Sequence, residues 1–114
     1  MGGVEDPGRL AAFREALGEW NCGGFIVWKK RPSEWLEKNL EGYSTELVGK
    51  LMCDFELAGG EIDETVETRP DYKNMYEFHH DFRFEINGRK IYIETVLDIT
   101  RTGPTITVVN MHDQ

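Results

Sequence analysis

The spacing of apolar residues changes part-way along the chain, and the change predicts helices first and an antiparallel sheet second. Leu10, Phe13, Leu17 and Trp20 recur at helical spacing behind Asp6-Pro7. Asp can cap a helix and Pro loses no hydrogen bond at its first position, so a helix is predicted over about residues 7–20. Asn21-Cys-Gly-Gly24 ends it, and Phe25-Ile-Val-Trp28, short, β-branched and aromatic, reads as a buried strand. Lys29-Lys-Arg-Pro32 reads as a basic turn, after which Ser33 is placed to cap a short helix reaching about Gly42, with Trp35, Leu36 and Leu40 as its stripe. Ser44 or Thr45 caps a third helix, whose Leu47, Val48, Leu51, Met52 and Phe55 share one side as far as Gly59-Gly60. The acidic stretch from Glu61 to Glu67 alternates weakly and suits an edge strand or a solvated loop equally; Arg69-Pro-Asp71 is a turn.

From Phe78 alternation replaces the helical period. Phe82, Phe84 and Ile86 lie on one face of a strand, Asn87-Gly88 is a strong hairpin signal, and Ile91, Ile93 and Leu97 return on the matching face. A further strand, Thr105 to Met111, follows the loop Arg101-Thr-Gly-Pro104. The expected fold is therefore α+β, with N-terminal helices packed on one face of a mainly antiparallel sheet of three to five strands. One domain spanning residues 1–114 is expected, because a chain of this length buries about two-thirds of its unfolded surface around one core.

A two-residue turn fixes the register of the hairpin. It pairs Ile86 with Arg89, Phe84 with Ile91, Phe82 with Ile93 and His80 with Thr95 on the core side. The other face pairs Glu85 with Lys90, Arg83 with Tyr92, Asp81 with Glu94 and His79 with Val96. Two carboxylates directly opposite each other are unfavourable unless a positive group lies between them, and Arg83, diagonal to Glu94, is the nearest one in this register. Two readings follow. One is a surface cluster of carboxylates and arginine; the other is a divalent-cation or acid/base site made of His79, Asp81 and Glu94, since close carboxylates attract metal. His112 is expected to alternate in phase with Ile106, Val108 and Asn110, and its imidazole is the natural proton carrier if a site forms around it.

Several chemistries lack their signatures. No Gly-x-Ser-x-Gly, phosphate-binding glycine loop or dinucleotide fingerprint occurs, which speaks against serine-nucleophile, ATPase and Rossmann enzymes, and nothing in the pattern calls for a cofactor. Cys22 and Cys53 have neither a C-x-x-C spacing nor a histidine at zinc-finger distance, and read as reduced structural thiols. The longest apolar run, Phe25 to Trp28, is far short of the roughly 20 residues that cross a bilayer. The first residues lack the basic and apolar regions of a signal peptide, so a cytoplasmic location is expected.

Charge narrows the choice of partner. Twenty-one acidic against thirteen basic residues give a formal net charge of −8, which on average repels phosphate backbones and disfavours nucleic acid. The leading expectation is a non-catalytic acidic protein-binding or regulatory domain with a basic protein as partner; the alternative is a small ribonuclease or a metal-dependent hydrolase.

The alternative draws on a family likeness. A strand, helices and then an antiparallel meander ending in a His-bearing strand resemble the RelE-type ribonuclease toxins, chiefly over Phe82 to Leu97 and Thr105 to His112. That family cuts RNA without metal, using basic and aromatic or histidine side chains on its sheet. The resemblance implies Arg83, Tyr92 and His112 as catalytic residues here. Proteins of that family are strongly basic, whereas this chain sets Asp81, Glu85 and Glu94 on the face that holds Arg83 and Tyr92.

Overall fold

The computed structural model describes residues 3–114. Helix α1 spans Pro7–Gly18, strand β1 Ile26–Trp28, helix α2 Lys30–Asn39 and helix α3 Thr45–Leu57; strands β2 to β5 span Asp63–Val66, Phe78–Ile86, Arg89–Thr100 and Gly103–Asp113. The fold is α+β, as the change of period implies.

Local chemistry sets most of these limits. The Asp6 carboxylate accepts a hydrogen bond from the Arg9 backbone N–H at 2.8 Å, and Ser44 Oγ accepts from that of Leu47 at 3.0 Å, so both helices are capped by side chains. The segment expected as a basic turn is instead the first turn of α2. Pro32 sits where a helix has no internal N–H bonds to lose, so it does not delay the start. Ser33 lies inside this helix, its N–H donating to Lys29 O at 3.2 Å, and caps nothing.

The five strands form one sheet in the order β1-β5-β4-β3-β2, antiparallel except for the β1–β5 pair. The acidic stretch before Arg69 resolves into strand β2, on the edge beside β3. At the hairpin, Asn87 (φ 52°) and Gly88 (φ 79°) both adopt positive φ, the turn whose twist matches that of the flanking strands. The β3–β4 register is the one the sequence implies, with Asp81 opposite Glu94 and Arg83 opposite Tyr92.

Strand β5 departs from simple alternation. Glu94 pairs with Asn110 but Thr95 pairs with Val108, which leaves Val109 as the extra residue of a β-bulge. Ile106 and Val108 therefore face the core, and so does Met111, while Asn110 and His112 turn to the opposite face. His112 is not in phase with Ile106 and Val108: the bulge moves it onto the face that carries Tyr92.

The helices cover the inner face alone. Phe13 and Leu17 of α1, Leu36 of α2, and Val48 and Met52 of α3 form one apolar cluster with Phe82, Ile91, Ile93, Ile106, Val108 and Met111 of the sheet. Among the described residues the outer face carries no helix; residues 67–77 cross one end of it, where Arg69 reaches Glu94 and Tyr76 donates to Asp98 at 3.1 Å. Among the described residues no helix is long and apolar enough to cross a membrane.

Candidate functional site on the open face of the sheet

Side chains two apart on a strand share a face, so β3 sets His79, Asp81 and Arg83 in a row on the open side. Strand β4 adds Tyr92 and Glu94, and β5 adds His112 and Asn110. The face is polar, yet its centre is not wet. The side chains of Glu67, Asp81 and Glu94 are 1%, 4% and 6% exposed. Removing charged carboxylates from water is unfavourable unless partners compensate, so the partners define what this face is.

Asp81 is held by histidine. One of its oxygens lies 2.9 Å from His79 Nδ1, and the nearest guanidinium nitrogen of Arg83 is 3.8 Å from the other. An ionised carboxylate can only accept, which places the proton on Nδ1 and leaves the lone pair on Nε2. Tyr92 completes the group: its hydroxyl donates to Glu94 Oε1 at 3.3 Å and lies against Asp81. Burial, followed by the neighbouring charges of Asp81 and Glu94, pushes the Tyr92 phenol well above its usual range, so it keeps its proton at neutral pH.

Glu94 is held by Arg69, which also makes a two-pronged pair with Glu67 at 2.8 and 3.0 Å. Its hydrogen bonds to Arg69 hold the Glu67 carboxyl well below the ordinary value, at about 2. Arg83 does not lie between Asp81 and Glu94 as the register alone suggests. It turns to Asp63 on β2, a strand whose position only the assembled sheet reveals, while its guanidinium stacks over the Tyr92 ring at 4.9 Å. The Tyr92 and His112 rings lie 4.8 Å apart.

The structure thus gathers both predicted sets on one face. His79, Asp81 and Glu94 each offer a donor atom within 4.8 Å of the others, a set whose imidazole and carboxylates suit a divalent cation. Arg83, Tyr92 and His112 are direct cross-strand neighbours in the adjacent row. The three histidines do not converge. His80 faces the helices, and His79 and His112 flank the open face from two rows apart, roughly 13 Å along the strand direction by strand rise.

Comparison with protein-family models, with curated proteins and with solved structures finds no match. The site therefore rests on its own geometry.

Sequence reasoning passed over Glu67 and Arg69, placing them in an acidic stretch and a turn. Their Glu-x-Arg spacing is the available signal, since in extended chain it puts a carboxylate and a guanidinium on the same side. On the inner face it also missed a second network. Arg9 grips Glu64 through two bonds of 2.9 and 2.7 Å, Glu64 in turn meets His80 Nε2 at 3.1 Å, and His80 packs edge-on against Phe13. Burial lowers the His80 pKa, partly offset by Glu64, so this imidazole favours its neutral form.

Proposed function

We propose that the open face is an RNA-cleaving site in which His79 is the general base and Tyr92 the general acid. The observation that carries this reading is the near-buried Asp81 carboxylate standing between the His79 imidazole and the Tyr92 phenol. A carboxylate on Nδ1 fixes both the tautomer and the orientation of an imidazole and steadies the cation it becomes, which is what a general base requires. A solvent-facing patch has no need of a buried carboxylate there.

The chemistry follows from these roles. His79 Nε2 takes the proton of a ribose 2′-hydroxyl as its oxygen attacks the adjacent phosphorus. The P–O5′ bond breaks, and the Tyr92 hydroxyl supplies the proton to the departing oxygen. The products are a 2′,3′-cyclic phosphate and a 5′-hydroxyl. Arg83, paired with Asp63 but two-fifths exposed beside Tyr92, meets a phosphate oxygen with the exposed part of its guanidinium as charge builds in the transition state. DNA lacks the attacking hydroxyl and is not a substrate on this account.

End-labelled RNA and DNA of one sequence, incubated with the full chain with and without EDTA, test it. RNA alone should be cut, to cyclic ends and irrespective of EDTA, and His79→Ala or Tyr92→Phe should slow the reaction at least about 100-fold. A folded protein that leaves RNA intact, or whose His79→Ala variant cuts as fast as the parent, would remove the basis for the reading. A second reading has its own observation, the closeness of the His79, Asp81 and Glu94 donors. Cleavage abolished by EDTA, restored by Mn²⁺ and lost in Glu94→Gln would move the assignment to a metal-assisted hydrolase.

A further inference from the structure

At the end of the sheet where residues 67–77 cross, beside the first turn of α1, a cavity of about 290 Å³ opens, lined by Arg9, Met75, Phe78, His80, Leu97 and Ile99, with Tyr76, Glu77 and Asp98 completing it. Two of the lining residues, Met75 and Ile99, are among the largest exposed apolar side chains of the molecule. Val66 is a third, and it pairs across β2 and β3 with Phe78, on the same face. Of the six large hydrophobics exposed among the described residues, two thus line one opening and a third neighbours its wall through Phe78, where scattered single ones are the norm.

The charge around this opening has a sign. Arg9 and His80 are the basic side chains lining it; Arg9 is already engaged by Glu64 through two bonds, and burial favours the neutral form of His80. Glu77 makes no ion pair among the described residues, and Asp98 receives only the Tyr76 hydroxyl. What remains uncommitted is negative, as is the molecule. The wall holds one further request: His80 Nδ1 is buried with no hydrogen-bond partner among the described residues. Because His80 Nε2 faces a carboxylate and so carries the proton, Nδ1 is an acceptor that lacks a donor.

We infer that this opening docks an amphipathic segment of a basic protein, whose apolar side chains cover Met75, Ile99 and Val66 while its lysines or arginines meet Glu77 and Asp98. Recognition of this kind combines an apolar anchor with a charged rim. The surface lies apart from the proposed RNA site and does not depend on that reading.

A helical peptide of leucine and lysine alone, and its leucine and glutamate counterpart, serve as probes in fluorescence anisotropy against the full chain. The lysine peptide should bind more weakly as salt rises, and the glutamate peptide should not bind. Ile99→Glu and Met75→Glu should each weaken the lysine peptide about tenfold or more although they add negative charge, whereas Leu57→Glu, the same change at an exposed leucine elsewhere, should not. Circular dichroism checks that each variant is folded. Equal affinity for all three variants would overturn the inference, because attraction would then be to net charge alone. Self-association in sedimentation that Ile99→Glu dissolves would overturn it too, since the occupant would be a second copy of the chain.

Discussion

Glu67 is the residue whose surroundings speak most clearly about pH. Its folded pKa of about 2 lies below the ordinary 4.5, first because Arg69 donates to it. A carboxyl depressed on folding contributes stability that is fully present above about pH 4.5 and disappears as pH falls towards 2. The contribution is on the order of 3 kcal/mol at most, and less in practice because Arg69 is two-fifths exposed and partly screened. His80 acts in the same direction: an imidazole depressed by burial lets the unfolded chain bind more protons as pH falls below its ordinary 6.5. Urea unfolding of the parent should therefore show a midpoint that falls from pH 7 to pH 3. Replacing Glu67 with Gln should lower stability at pH 7 and flatten the part of that profile below pH 4.5. An unchanged slope in the variant would mean that this pair does not couple to folding.

Among the elements, strand β5 decides most about the site. The extra residue Val109 lets both halves of the strand keep their apolar residues inward, with Ile106 and Val108 before it and Met111 after it. Without it, one half must present polar side chains to the core. Deleting Val109 should lower stability by about 3 kcal/mol, the scale of losing one large buried side chain, as read from denaturant midpoints. Val109→Ala, which keeps the count and trims a half-buried side chain, should cost far less. A deletion variant as stable as the parent would show that the bulge does not set the phase of His112. The same element explains why a reading of alternation alone misplaces His112, since a bulge leaves no unique mark in a run as apolar as Ile-Thr-Val-Val.

Across the whole molecule the charge of −8 opposes any polyanion at a distance, while at contact the proposed site offers the exposed part of the Arg83 guanidinium, already paired with Asp63. Raising salt from about 10 to about 100 mM shortens the screening length from about 30 to about 10 Å, which weakens the distant repulsion before the local contacts. If RNA is the substrate, kcat/KM should rise over this interval, the reverse of the fall expected for a basic nuclease. A steady fall from the lowest salt upward would argue that the acidic body plays no part in substrate encounter.

The fold class and half of the site were legible in the residue order, for a definite reason. Asn87-Gly88 is a local instruction, and a two-residue turn propagates its register outward one pair at a time, so Asp81 had to meet Glu94 and Arg83 had to meet Tyr92. Helix caps at Asp6 and Ser44 are local in the same sense. Long-range placement is different. That β2 lies beside β3 and draws Arg83 to Asp63, that Arg69 folds back to Glu94 across 25 residues, and that a bulge carries His112 to the ring of Tyr92 all follow from how the core closes. Those contacts depend on which burial arrangement has the lowest free energy for the entire chain, a quantity no short stretch of sequence contains.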